Sequence, residues 1–194
     1  MKKTDYIRKV EAIVEKTLNK SKKQSLAHDF SHFNRVRLNA LAIAENYSDV
    51  DTEVLQLAAL LHDIDQPYNK KIEHVARSMN KAKKILTDIN YEKTSKVLDL
   101  IKRHSTENIY EKNNIESKIL FDADKIDGLG VIGAARVFLY CGQNNMRLRN
   151  AIEWYEKKIG IALNNLQTPE GRKMTEEKIA FTKKFLTELK KEVE

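Results

Sequence analysis

Residues 53–65 read EVLQLAALLHDID. From Val54 to Leu61 almost every position is apolar, with neither strict alternation nor a breaker. A stretch apolar on nearly all sides predicts a central, buried helix over about 52–62. That helix runs straight into His62 and Asp63. Carrying a histidine and an aspartate into an apolar interior is costly unless something satisfies them. A metal ion is one such partner, because imidazole nitrogen and carboxylate oxygen suit Mn, Fe, Zn or, less readily, Mg.

Upstream, Phe33, Val36, Ala40, Ile43 and Ala44 mark a helix that starts near Asp29 or Ser31 and ends near Tyr47. The loop SDVD follows at 48–51, where Asp49 or Asp51 can cap the next helix. A first helix over 3–20 carries Ile7, Val10, Val14 and Leu18 on one face. Its basic remainder reads as a solvated face, or else as a surface for membrane or nucleic acid. Downstream, DIDQPYNKK is irregular, with Pro67 stopping any helix before it. Helices are then predicted at 70–86, 91–103, 112–121, 124–141, 146–164 and 175–192. LQTPEG at 166–171 reads as a turn in which Thr168–Pro169 open a short helical turn. No strand pattern, internal repeat or low-complexity segment interrupts the series. The prediction is therefore an all-α chain forming one domain over 1–194, with the final helix packed as an appendage.

Composition agrees. The 194 residues include only 6 Gly and 2 Pro, against the many turns of a sandwich or barrel. A chain of this size buries roughly 70% of its unfolded surface and needs no staple merely to form a core. Cys141 is the single cysteine, which excludes an intrachain disulfide and a thiolate zinc site and suits a reducing, cytoplasmic setting. The N-terminus has no apolar stretch after its lysines, so no secretory signal is expected. No apolar run approaches the roughly 20 residues of a membrane span. The net charge of +7 accommodates an anionic partner. P-loop, GxGxxG, HExxH and GxSxG patterns are absent.

The histidines number five: His28, His32, His62, His74 and His104. His28 and His32 share a helical face, with Arg35 nearby. His104 closes an amphipathic segment, and ILFDADKIDGLG places Asp122, Asp124 and Asp127 behind an apolar run. Taken singly, each histidine reads as well as a satisfied core or surface residue. The aspartates read as well as two caps and a solvated carboxylate. Cys141 in FLYCG reads as packing.

Taken together, HDFSHFNRV, LAALLHDID, EHVARSM, IKRHS, DADKIDGLGVIGAARVF and NAIEWYEKKI resemble the HD-domain metal-dependent phosphohydrolases, in particular a subgroup of small bacterial and archaeal proteins. The likeness runs over most of 26–190, with a motif-bearing core at about 26–142 and C-terminal helices at about 146–192. It implies an all-helical HD fold with His32, His62, Asp63 and Asp124 as metal ligands. His74 and His104 match the extra ligand positions of two-metal relatives, with Asp63 bridging. The implied cofactor is one or two divalent ions, Mn or Fe first, with Mg, Co, Ni or Zn as alternatives. Such an ion lowers the pKa of bound water and polarises a phosphoryl oxygen.

Around that set, Arg35, Lys125, Arg77 and Arg103 are candidate substrate clamps, Arg35 and Lys125 foremost; each reads equally as a salt-bridge partner. His28 and Asp29 are candidates to hold His32's other ring nitrogen, Asp29 alternatively capping the helix, with Asp127 a turn beyond Asp124. Asp65 is a candidate to position water or accept a proton. One departure stands out: relatives often carry a glycine soon after the HD pair, where this chain reads HDIDQPYNKK.

The subgroup includes nucleotide pyrophosphohydrolases, so the favoured expectation is nucleoside triphosphate converted to monophosphate and pyrophosphate. The alternatives are a 5′-nucleotidase, a phosphodiesterase, a di-iron oxygenase and a nucleic-acid-binding protein. The last lacks interleaved aromatic and basic residues. The apolar face Ile152, Tyr155, Ile159 and Leu163 is core or, alternatively, a homodimer interface.

Overall fold

The apolar run becomes α3 (Thr52–Leu61), whose Leu55, Leu57, Leu60 and Leu61 are wholly buried. The computed structural model describes residues 3–20, 25–65, 74–105 and 114–193. Among them every regular element is helical: α1 (Lys3–Lys20), a 3-10 turn (Leu26–His28), α2 (Phe30–Ala44), α3, α4 (His74–Asp88), α5 (Thr94–Arg103), α6 (Ile115–Asp127), α7 (Gly130–Gln143), α8 (Leu148–Asn165) and α9 (Pro169–Val193). Pro67 and the expected helix starts at 70 and 112 lie outside the described residues.

α3 is central because α1, α2, α5 and α6 all pack against it. Val10, Val14 and Leu18 of α1 join Phe33, Val36 and Ile43 of α2 in one core around it. Fully burying a Leu or Val stabilises by about 1.5–3 kcal/mol, so this layer anchors the fold. A second cluster gathers Leu129, Ala134, Ile152, Tyr155, Ile159 and Leu186. Helix α6 touches α2 and α3 on one side and α7 and α9 on the other, so it connects the two clusters.

Local chemistry sets the helix ends. Asp29 caps α2, its Oδ1 accepting from His32 N at 3.0 Å, and Asp51 rather than Asp49 caps α3 through Val54 N at 3.3 Å. His28 sits in the 3-10 turn, one element before His32.

Expectations about two helices, α6 and α9, need correction. The break expected between 121 and 124 falls at Gly128–Leu129, so Asp122 and Asp124 are interior to α6 rather than at a boundary. Asp122 is not a cap of its own helix. It accepts from Gln167 N (2.8 Å), Thr168 N (2.7 Å) and Thr168 Oγ1 (2.6 Å), across the fold. The final helix begins at Pro169, not near 175, because Thr168 Oγ1 accepts from Gly171 N at 3.0 Å and Pro169 fits the first helical turn. It is no appendage: Glu170 accepts from Tyr47 OH at 2.6 Å, and Thr182 Oγ1 accepts from Gly130 N at 2.8 Å. Close approach explains Gly133, where a Cβ would overlap the backbone of Gly128.

Candidate metal centre

Four elements deliver the histidine and aspartate side chains to one point. His32 comes from the first turns of α2, His62 and Asp63 from the end of α3, His104 from the end of α5, and Asp124 from α6. His32 and His62 are completely buried, and Asp63 and His104 almost so. Imidazole centroids are 5.2 Å apart for His32–His62 and 5.1 Å apart for His62–His104.

Hydrogen bonds fix the protons on these rings. His62 Nδ1 donates to Ala59 O at 2.8 Å, and His104 Nδ1 donates to Ile101 O at 2.6 Å. A carbonyl oxygen only accepts, so each Nδ1 carries a hydrogen. His32 Nδ1 donates to Asp127 Oδ2 at 2.8 Å. In the neutral tautomer each Nε2 then presents a lone pair, and all three face carboxylates. His32 Nε2 is 3.9 Å and His62 Nε2 3.7 Å from Asp124 Oδ1, and His104 Nε2 is 3.4 Å from Asp63 Oδ1. His32 Nε2 and His62 Nε2 are buried with no hydrogen-bond partner among the described residues. Lone pairs opposed to carboxylate oxygens call for a cation between them, and a divalent metal ion fits the donor set. Among the described residues, three overlapping groups can hold one: His32–His62–Asp124, His62–Asp63–His104 and His28–His32–Asp63.

Asp63 divides its oxygens. Oδ1 faces His104 and His74, the latter at 3.8 Å, while Oδ2 faces His62 at 3.8 Å and His28 at 3.7 Å. Each Asp63 oxygen thus faces a different pair of histidines. His74 opens α4 and is partly exposed.

The electrostatics hold Asp63, Asp124 and His32 in their ligand forms at neutral pH and set His62 apart. Burial and the nearby His62 and His104 act in opposite directions on Asp63, and the histidines prevail, holding its carboxyl well below the usual range. Asp124 is likewise buried, yet Lys125 and His62 hold it low. Burial and Arg136 push His32 down to about 4, so its ring is neutral. Burial opposes protonation of His62 too, but Asp63 and Asp124 outweigh it and raise its pKa.

With this geometry in view, sequence comparison becomes decisive: the HD domain family matches residues 29–129. The chain belongs to the HD-domain family. Among relatives, Bacillus subtilis YpgQ is 26% identical over 178 residues, covering 88% of this chain and 86% of YpgQ. The crystal structure of YpgQ in complex with ADP matches with a TM-score of 0.72 at 24% identity, over 96% of this chain and 97% of that one. An HD-superfamily hydrolase from Bacillus thuringiensis matches with a TM-score of 0.72 at 26% identity, over 98% of each chain.

The structure sorts the remaining candidates of this HD-domain chain. Arg35 grips Asp127, with Nε 2.6 Å from Oδ1 and Nη2 3.1 Å from Oδ2, and so braces the aspartate that orients His32. Asp29 caps α2 and His28 faces Asp63; neither supplies the bond to His32 Nδ1, which Asp127 makes. Lys125 Nζ lies 2.7 Å from Asp124 Oδ2, beside the centre. Asp65 is paired with Arg77 at 2.9 and 3.0 Å, and Arg103 with Asp99 at 2.9 Å.

Arg136 is a residue that sequence reasoning missed. Its Nη1 donates to Asp127 Oδ2 at 2.6 Å and its Nε to Ala27 O at 2.7 Å, tying α7 to α6 and to the turn before α2. Nothing in the GAARVF string distinguishes it from a surface arginine. It lines a cavity of about 290 Å³ together with Asp63, His74, His104, Asp124 and Lys125. The cavity continues onto α7 and α8, reaching Tyr140, Trp154 and Lys158. No described helix is long and apolar enough to cross a membrane.

Proposed function

We propose that this HD-domain protein is a divalent-metal-dependent phosphohydrolase acting on nucleotides, cleaving nucleoside triphosphate to monophosphate and pyrophosphate. The observation that carries the proposal is the set of imidazole Nε2 lone pairs, fixed by Nδ1–H donation, converging on Asp63 and Asp124 at the end of an open cavity. The ADP bound by YpgQ supports nucleotide as the substrate class.

His32, His62, Asp63 and Asp124 would hold the metal, and His74 and His104 with Asp63 a second. When bound, such an ion supplies an activated water and polarises a phosphoryl oxygen. The chain's own groups do the rest. Asp127, itself gripped by Arg35 and Arg136, keeps the His32 ring in one tautomer and one orientation. Asp63 and Asp124, held ionised, remain acceptors for cationic charge down to low pH. Lys125 sits on the cavity wall, where positive charge can stabilise the phosphoryl oxygens as negative charge shifts onto them.

The test is a product-resolved assay on metal-stripped protein reloaded with Mn²⁺, Co²⁺, Mg²⁺ or Fe²⁺ and offered NTPs, dNTPs and NMPs. Metal-dependent pyrophosphate release supports the proposal. Phosphate released from monophosphates alone would replace it with a 5′-nucleotidase, and turnover that requires O₂ with a di-iron oxygenase.

A further inference from the structure

The cavity has two chemically different ends. One holds the carboxylates, the imidazoles, Lys125 and Arg136; the other is built from apolar and aromatic side chains of α7 and α8 that no metal chemistry requires. At that second end Tyr140 and Trp154 stack on each other, with ring centroids 5.4 Å apart and planes within 17°. Both are half-buried rather than enclosed, and both line the cavity. Lys158 Nζ lies 5.1 Å from the centroid of the Trp154 ring. Val137, Ile159 and Ala162 of the same two helices also line the cavity. Tyr155 also lines it but spends its hydroxyl on Gly128 O at 3.0 Å, leaving its ring as the contact.

We propose that the Tyr140–Trp154 stack is the subsite for the flat aromatic ring of the ligand, the nucleobase of a nucleotide whose phosphates reach the metal-binding end. A stacked aromatic pair with apolar flanks recognises a π-face and excludes water from it, whereas a purely inorganic polyphosphate gains nothing from such a wall. The exposed Lys158 places positive charge beside the Trp154 ring on the same cavity wall, where it attracts an anionic ligand. The sequence shows why the pair meets. Tyr140 opens the YCG segment in the last turn of α7 and Trp154 lies nearly two turns inside α8, so the short connection over 144–147 folds one ring onto the other. The inference rests on the nucleotide reading of the cavity, but it concerns ring binding and not the reaction.

Trp154 is the single tryptophan, so its fluorescence reports on this subsite alone. The experiment titrates full-length, metal-stripped protein with AMP and, separately, with inorganic tripolyphosphate. The subsite predicts saturable quenching by AMP and none by tripolyphosphate. By calorimetry, Trp154→Ala weakens AMP binding about tenfold, about 1.4 kcal/mol, while Trp154→Phe, which keeps a stacking face, weakens it less than about threefold. Helical content and melting temperature of both variants are read alongside. AMP binding that leaves the fluorescence unchanged, equal quenching by tripolyphosphate, absence of AMP binding to the wild type, or unaltered affinity in folded Trp154→Ala would each overturn the assignment. Because no metal is present, the outcome is separate from that of the hydrolysis assay. AMP quenching without turnover of any nucleotide keeps the ring subsite and removes the phosphohydrolase reading. Turnover of ATP with no quenching does the reverse.

Discussion

His62 donates its Nδ1 hydrogen to the carbonyl of Ala59 at 2.8 Å, within the same helical turn. The last turn of α3 thus sets the tautomer of the ring at its own end and leaves Nε2 as the atom that meets Asp124. Because Asp63 and Asp124 raise its pKa against the effect of burial, His62 keeps an extra proton to higher pH than a free imidazole does. A metal ion must displace that proton. Metal affinity therefore falls as pH decreases through the His62 titration, and binding acidifies a weakly buffered solution. Calorimetry in buffers of different ionisation enthalpy measures the protons released; zero release at pH 6 would contradict the assignment.

His32 titrates in the opposite sense. Its pKa is about 4 in the folded, metal-free chain, against an ordinary value of 6.5, because of burial and Arg136. Between those values the unfolded chain binds a proton that the folded chain does not. The contribution of this ring to stability is therefore full above pH 6.5 and lost as pH falls toward 4. The raised His62 works the other way, stabilising below its ordinary value and less as pH rises through its folded pKa. NMR titration of the imidazole resonances separates the two rings: His32 is expected to stay neutral to about pH 4. A His32 midpoint near 6.5 would refute this.

Asp127 orients His32 and meets both Arg35 and Arg136, and these neighbours hold its carboxyl well below the usual range despite burial. Asp127→Asn removes the charge while keeping the shape. The expected loss in metal affinity is about 10–100-fold, the usual size for a group that orients a ligand. Unchanged Mn²⁺ affinity in a folded variant would show that the His32 ring is positioned by packing alone.

Asp63 offers one oxygen to His74 and His104 and the other to His28 and His62. Two ions are therefore expected at saturating metal, with Asp63 between them. His74→Ala and His104→Ala each lower the bound stoichiometry toward one while sparing the His32–His62–Asp124 group. Unchanged stoichiometry in both variants, measured by elemental analysis after dialysis, would contradict a second ion held by His74 and His104.

Gly171 lies against the Asp122 carboxylate and Thr168 Oγ1, where an added Cβ would overlap both. Gly171→Ala is expected to destabilise by roughly 1–3 kcal/mol, as overpacking does. The melting temperature falls by several degrees, with little change in metal affinity because the proposed ligands His32, His62, Asp63 and Asp124 are not among the groups an added Cβ would meet. An unchanged melting temperature would mean that the start of α9 shifts freely.

The fold was legible because its signals are local. The apolar sweep of Val54–Leu61 marked α3, and the i, i+3, i+4 spacing of Phe33, Val36 and Ala40 marked α2. The metal-centre candidates were legible as ordered strings around His32, His62–Asp63, His104 and Asp124. The structure brings them together, with His74 at their edge. What escaped was set by distant partners. Asp122 looked like a helix boundary because its acceptors serve Gln167 and Thr168, 45 and 46 residues away. Arg35 looked like a clamp, since nothing local tells that its fork closes on Asp127, 92 residues on. Arg136 and the Tyr140–Trp154 stack join the cavity only through the crossing of α7 and α8 with the rest of the fold.

The central claim is that the His–Asp centre hydrolyses a nucleotide. It is tested most directly by incubating ATP with Mn²⁺-loaded wild type and with Asp63→Ala of matched helical content, and resolving the products by anion exchange. The account predicts equal amounts of AMP and pyrophosphate from the wild type and none detectable from the variant. Near-wild-type turnover by folded Asp63→Ala, or silence from the metal-loaded wild type, would contradict it.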